Sequence, residues 1–214
     1  MTGFGKNTGV RSRGWFRIRL GCAAASSAVL AFAVIVIGSL TPGYNQWSDP
    51  VSRLASPGEP RVLIARAAFA AYGLLVIAGA STLRQYAGRH EHWLARCLAL
   101  YAVACIVAGV APKNQPGTAP TGVSQVHVAA AVLAGALVLG AMTLVSRYGP
   151  TRTARRAAVA MALLTGLAAV IFRLTWGTRE YGLSERVLLG LGMGWISALA
   201  TRAFIVGAPN ATAG

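Results

Sequence analysis

Acidic side chains are scarce in this sequence. There are five Asp and Glu in 214 residues, and none lies in the middle of a long hydrophobic run. A proton- or sodium-coupled transporter keeps a carboxylate at membrane depth, so the absence argues against a small transporter. Cysteine is almost as rare. Cys22, Cys97 and Cys105 are odd in number, sit inside apolar runs and form no C-x-x-C, which excludes a disulfide framework or a zinc ribbon. Of three histidines only His127 is placed to enter an apolar run, whereas a transmembrane haem wants paired ligands facing one another. No cofactor is expected. Gly190, Gly192 and Gly194 follow no strand, so they make no nucleotide loop. Gly190 and Gly194 read instead as a G-x-x-x-G pair for close helix approach.

What is abundant is apolar surface. Hydrophobic residues make up 55% of the chain and charged residues 12%, about half the usual charged share; mean hydropathy is +0.57. A soluble domain of this size still exposes about a quarter to a third of its chain surface, which this composition could not present to water. Twenty basic residues against five acidic ones give +15, which in a soluble chain would point to nucleic acid. Here Lys and Arg punctuate hydrophobic runs and gather into no patch. They report membrane topology, and no nucleic-acid partner is expected.

A bilayer core needs about 20 apolar helical residues, and six spans supply that length: Leu20–Leu40, Arg61–Leu83, Trp93–Ala111, Ser124–Ser146, Ala157–Trp176 and Glu185–Val206. The expected fold is an all-α six-helix bundle (20–206) between a basic tail (1–19) and a short C-terminal tail (207–214). Alternate connections hold thirteen Lys and Arg on one side and seven on the other, and four of the five acids lie with the seven. The positive-inside rule then puts both termini in the cytoplasm, and the expected location is the plasma (inner) membrane.

Candidate functional residues gather on the side away from the termini. Asp49 before Pro50 predicts the start of a short amphipathic helix covering the bundle mouth, because Asp caps orphan N–H groups and Pro suits the first helical position. Ser124 and Ser184 are expected caps of the fourth and sixth spans. Arg66 lies about 7 Å along its helix from Arg61, and Arg173 precedes Trp176 near the end of its span. Each arginine either snorkels to the headgroups or turns inward to pair with Asp49, Glu59 or Glu185. His127 can accept a proton, bind a metal or hydrogen-bond a neighbouring helix. His90-Glu91-His92 reads as a solvated cytoplasmic loop.

Pro42-Gly43-Tyr44 with Asp49, Ser52 and Leu54, then Gly109 and Pro112 ahead of His127, then Gly182-Leu183-Ser184-Glu185-Arg186, occur in that order along the chain. In this the sequence resembles the bacterial and archaeal domain-of-unknown-function 998 family, across most of its length. The resemblance implies a six-helix membrane protein without an established activity, and marks Asp49, Ser52, His127, Glu185 and Arg186 as a shared outer cluster. Asn114 stands where the resemblance leads one to expect Asp, which argues against a metal site in that loop.

Three functions remain. In the first, Arg66, Arg173, Glu185 and Arg186 bind an anionic lipid headgroup, a membrane-protein partner or a second copy. In the second, an intramembrane enzyme acts on lipid headgroups, with His127 as base or metal ligand, Asp49 as its orienter and Ser48 or Ser52 as nucleophile. The third is the transporter. The first is preferred.

Overall fold

The computed structural model describes residues 8–114, 119 and 121–206, with side chains from Gly14 to Ile205. The first seven residues and the expected tail from 207 lie outside the described residues. Six α-helices follow one another: α1 Thr8–Ser39, α2 Val62–Leu83, α3 Glu91–Val110, α4 Gly122–Tyr148, α5 Arg152–Leu174 and α6 Tyr181–Val206. No strand occurs among the described residues. Five helical stretches are long and apolar enough to cross a membrane, one of them the continuous Val62–Val110 stretch that contains α2 and α3. Those two helices are joined by a 3-10 segment, Arg84–His90, which Gly88 breaks at φ 49°. The chain is a multi-pass membrane protein.

Helix starts differ from the sequence reading for a local reason. Thr121 caps α4 by accepting from Ser124 N at 3.3 Å, and Thr151 caps α5 by accepting from Ala154 N at 3.1 Å. Ser124 therefore lies inside α4, and its hydroxyl accepts from Asn114 N at 3.4 Å instead. Ser184 likewise lies inside α6, in contact with Thr175 Oγ1 at 2.6 Å and donating to Tyr181 O at 2.9 Å. At α4 the extended backbone already ends at Thr121, and α6 is helical from Tyr181 onward. At the N-terminus α1 is already helical at Thr8, so much of the expected basic tail is helix. His90 is not simply solvated, since its ring lies 4.0 Å from that of Tyr148.

Each helix packs on its neighbours in sequence and α6 closes back on α1, which makes a ring. Small residues set the spacing. A Cβ on Gly79 would meet Ala23 of α1, one on Gly73 would meet Ile106 of α3, and one on Gly109 would meet Phe69 of α2. Gly190 and Gly194, by contrast, have nothing within 4 Å. The G-x-x-x-G pair faces open space, so its expected role in helix contact is not the one it has here. Inside the ring Leu20, Leu83, Leu94, Leu98, Met142 and Ile196 are fully buried. Outside it Phe32, Leu63, Leu163 and Ile205 are 70–77% exposed, a surface that only lipid can wet.

Gly79→Leu is expected to destabilise the protein by about 1–3 kcal/mol through overpacking of α1 on α2, read as a lower Tm in detergent. Gly166→Ala, in open space inside α5, should instead stabilise by up to about 1 kcal/mol.

Candidate functional site at the bundle mouth

The connection between α1 and α2 folds over one end of the ring, here termed the mouth. Its 3-10 segment Val51–Ala55 corrects the expectation of a surface helix capped by Asp49. Pro50 precedes the segment with no side-chain cap, and Val51, Ser52, Leu54 and Ala55 are all buried. Leu54 and Ala55 pack with Ile37 of α1 and Ala65 of α2. Arg53 alone turns outward, and with the other four residues buried the segment forms a plug. The Asp49 carboxylate accepts from Asn45 N at 2.7 Å and pairs with Arg53 at 2.6 Å, and Arg53 reaches Glu59 at 3.0 Å.

The two arginines of the sequence reading find no carboxylate. Arg66 Nε donates to Ala55 O at 3.1 Å and so fastens the plug to α2. Arg173 is exposed and forms no salt bridge among the described residues.

The first turns of α6 hold the other side of the plug. A Cβ on Gly182 would run into the backbone of Ser48 and Asp49, so glycine is what lets α6 seat against the loop. Leu183 N donates to Trp47 O at 2.8 Å. The Glu185 carboxylate accepts from Val51 N at 2.5 Å. Arg186 donates to Asp49 O at 2.8 Å, Gly182 O at 2.9 Å, Tyr44 Oη at 2.5 Å and Gln46 Oε1 at 3.3 Å. All four acceptors are neutral. Burial pushes the Tyr44 phenol up to about 12, against the pull of the Arg186 guanidinium beside it.

Behind the plug lies a partly open cavity of about 130 Å³, reached by Ser52, His127, Glu185, Thr165, Tyr72 and Tyr101. Thr165 sits nine residues before the end of α5, about 13 Å along the axis, so the cavity extends to roughly mid-bilayer depth. His127 reaches it from α4 with its Nδ1 2.7 Å from Ala108 O and 3.1 Å from Ala111 O. Residue 112 is proline and has no N–H, so Ala108 O lacks its helical donor and the imidazole supplies one. Tyr72 and Tyr101 share a hydrogen bond at 2.7 Å. Ser52 Oγ faces the Glu185 carboxylate without a well-aligned hydrogen bond, and Thr165 Oγ1 has no partner at all. An unsatisfied buried hydroxyl costs about 1–3 kcal/mol.

Against α1 and α6 a second space of about 390 Å³ opens sideways to the membrane face. Its walls include Leu30, Val34, Leu189, Gly190 and Met193, and its rim carries Gln46, Trp47 and Arg186. Leu30, Leu189 and Met193 line both spaces and form the wall between them.

The structure thus brings Ser52, His127 and Glu185 to one cavity. Asp49 is not among its lining residues and contributes through its backbone to Arg186. Ser48 is likewise outside it. No group of three metal-ligating side chains occurs among the described residues. His127 is held by backbone carbonyls and has no hydrogen bond to Ser52, so the expected base–nucleophile pair is not assembled. Two contributors escaped the sequence reading. Thr165 gives no signal in an apolar run. Lys113 stands within hydrogen-bonding distance of Tyr181 Oη at 3.1 Å and over the rings of Trp176 and Tyr181. Burial holds its amine below the usual lysine range. A lone lysine between prolines could have drawn attention to it.

Residues 24–202 match the profile of a family described as Protein of unknown function (DUF998). No curated protein and no solved structure matches the chain.

The Tyr44 phenol generates a pH prediction. An unfolded tyrosine ionises near 10 and the folded one near 12, so the folded state holds its proton longer. Stability from this group is full below pH 10 and falls as pH rises towards 12. Tyr44→Phe should lose the Arg186 and plug hydrogen bonds at neutral pH, yet show a shallower alkaline decline than wild type. Thermal melts across that range, with phenolate absorbance in parallel, would detect it; parallel declines would refute the assignment.

Proposed function

The chain belongs to the DUF998 family, and from that premise and the mouth geometry we propose that it binds an anionic membrane lipid through the α1–α6 groove. The observation that carries the reading is the groove itself, apolar along its length and open to the lipid-facing side, with polar groups gathered at one end. An acyl chain fits such a wall because it exchanges bilayer hydrocarbon for an equally apolar surface and keeps its packing contacts.

Charge supports the anionic headgroup. Arg61, Arg66, Arg173 and Arg179 all lie near the mouth, and none forms a salt bridge among the described residues. Of the four nearby acids, Asp49 and Glu59 are engaged by Arg53, Glu185 is turned to the plug, and Glu180 is exposed beside Arg179. Arg61 and Arg66 donate to Leu40 O and Ala55 O, while Arg173 and Arg179 are left to meet a phosphate, which a guanidinium binds in bidentate fashion. On the positive-inside count the termini are cytoplasmic and the mouth meets the outer leaflet of the plasma membrane. A lipid-processing enzyme is the weaker reading, because His127 lacks a nucleophile in hydrogen-bonding reach.

The test is native mass spectrometry of protein incubated in micelles doped with phosphatidylglycerol. Gly190→Phe fills the groove from a position with open space around it, and is expected to cut lipid occupancy at least about tenfold while Gly166→Phe leaves it intact. Equal retention by both variants would sink the reading. So would a loss of dimer in place of a loss of lipid, since the groove would then belong to a second copy.

A further inference from the structure

Threonine in a helix ordinarily returns its hydroxyl to a backbone carbonyl three or four residues earlier. Thr143 does so to Leu139 O at 2.9 Å, and Thr82 to Gly79 O at 2.6 Å. Thr165 does not. Only 1% of it is exposed, it lines the cavity behind the plug, and its hydroxyl is without a partner. Ser52, 6% exposed, presents a second hydroxyl from the opposite end of the same cavity. Buried polar atoms are nearly always satisfied; the Ser52 hydroxyl has the Glu185 carboxylate beside it, but the Thr165 hydroxyl has nothing, and it points to a guest.

The rest of the wall selects the guest. His127 Nδ1 lies against two carbonyl oxygens and must carry the proton, so in the neutral ring Nε2 is an acceptor. Glu185 is a second acceptor, and the Ser52 and Thr165 hydroxyls can each donate or accept. A phosphate offers chiefly acceptors and would meet the Glu185 oxygens and the His127 lone pair. A neutral hydroxyl both donates and accepts, so it can partner the Thr165 hydroxyl and still suit a wall otherwise rich in acceptors.

We infer that the cavity behind the plug binds the neutral, hydroxyl-bearing end of a lipid, of the diacylglycerol or long-chain alcohol class. Its chain lies in the α1–α6 groove, and the Leu30–Leu189–Met193 wall gives way to let it pass. The inference rests on the groove reading only for this route. The two sites then differ in chemistry: phosphate at the mouth, free hydroxyl within.

The experiment compares wild type, Thr165→Val and Gly190→Phe, each titrated in detergent with dioctanoylglycerol and with dioctanoyl phosphatidic acid. Thr165→Val keeps the side-chain shape and removes the orphan hydroxyl. It is expected to weaken dioctanoylglycerol binding about tenfold, the scale of one lost hydrogen bond, while phosphatidic acid binding is unchanged. Its Tm should equal or exceed wild type, which separates lost binding from misfolding. Dioctanoylglycerol affinity indifferent to Thr165→Val would overturn the inference and leave water as the occupant. Equal losses for both lipids would overturn it too. Gly190→Phe reports on the groove separately: if it leaves phosphatidic acid binding intact, the groove reading fails whatever Thr165→Val does.

Discussion

Arg186 enters the mouth with no carboxylate to meet it, and the arrangement of the loop follows from how that charge is satisfied. A buried guanidinium is tolerated only when its N–H groups find acceptors. For its two terminal nitrogens those acceptors are Asp49 O, Gly182 O, Tyr44 Oη and Gln46 Oε1, while Nε is left without one. Three of them belong to the first connection, so that connection must hold one shape before the arginine can be buried. The turn at Gly43, with φ 70°, brings Tyr44 back towards the bundle. Gly182 lets α6 come up to the Ser48–Asp49 backbone. Glu185, adjacent in sequence, adds a charge that attracts Arg186 and a carboxylate that receives Val51 N. Each residue of the Gly182–Arg186 run that touches the loop thus has a separate reason to be what it is.

Burying the plug has a consequence inside the ring. Six helices packed in sequence leave a central space, which side chains from α2 and α4 fill against α6 only in part. Towards the termini Leu83, Leu94, Leu98 and Met142 close it with apolar bulk. Towards the mouth the plug closes it with Ser52 and α6 with Glu185, and the space stays open and partly polar. The same clamp that fixes the loop therefore roofs a chamber, and the membrane-facing groove lies one layer of side chains away.

The helical bundle was legible because hydropathy runs and proline-glycine breaks are local signals. Cap residues were misassigned where two hydroxyl residues compete, as with Thr121 and Ser124. The plug was misread because a proline start and spaced apolar residues look amphipathic in one dimension, while the burial of Val51, Leu54 and Ala55 depends on α1, α2 and α6. Gly190 and Gly194 illustrate the same limit: spacing says that two helices could approach, and only the fold says that they do not. Ser52, His127 and Glu185 were identifiable as a cluster through the order of the family motifs. Thr165 was not, because a threonine that spends its hydroxyl on its own helix and one that does not are identical in sequence.

His127 shows how a structural contact and a chemical property come from one cause. Pro112 ends α3 and strips Ala108 O of its donor. A carbonyl orphaned within a bilayer must be answered by a side chain, because no water is present to do it. The imidazole answers it through Nδ1 and answers Ala111 O as well. Two acceptors on one nitrogen leave a single tautomer, so the other ring nitrogen is fixed as an acceptor when the ring is neutral. A residue recruited to finish a helix end thereby gives the chamber a defined polarity. That polarity, set beside the Glu185 carboxylate, disfavours an anion in the interior even though the mouth around it is strongly basic. The protein presents two opposite electrostatic environments within one helical turn of α6, divided by the plug that Arg186 holds in place.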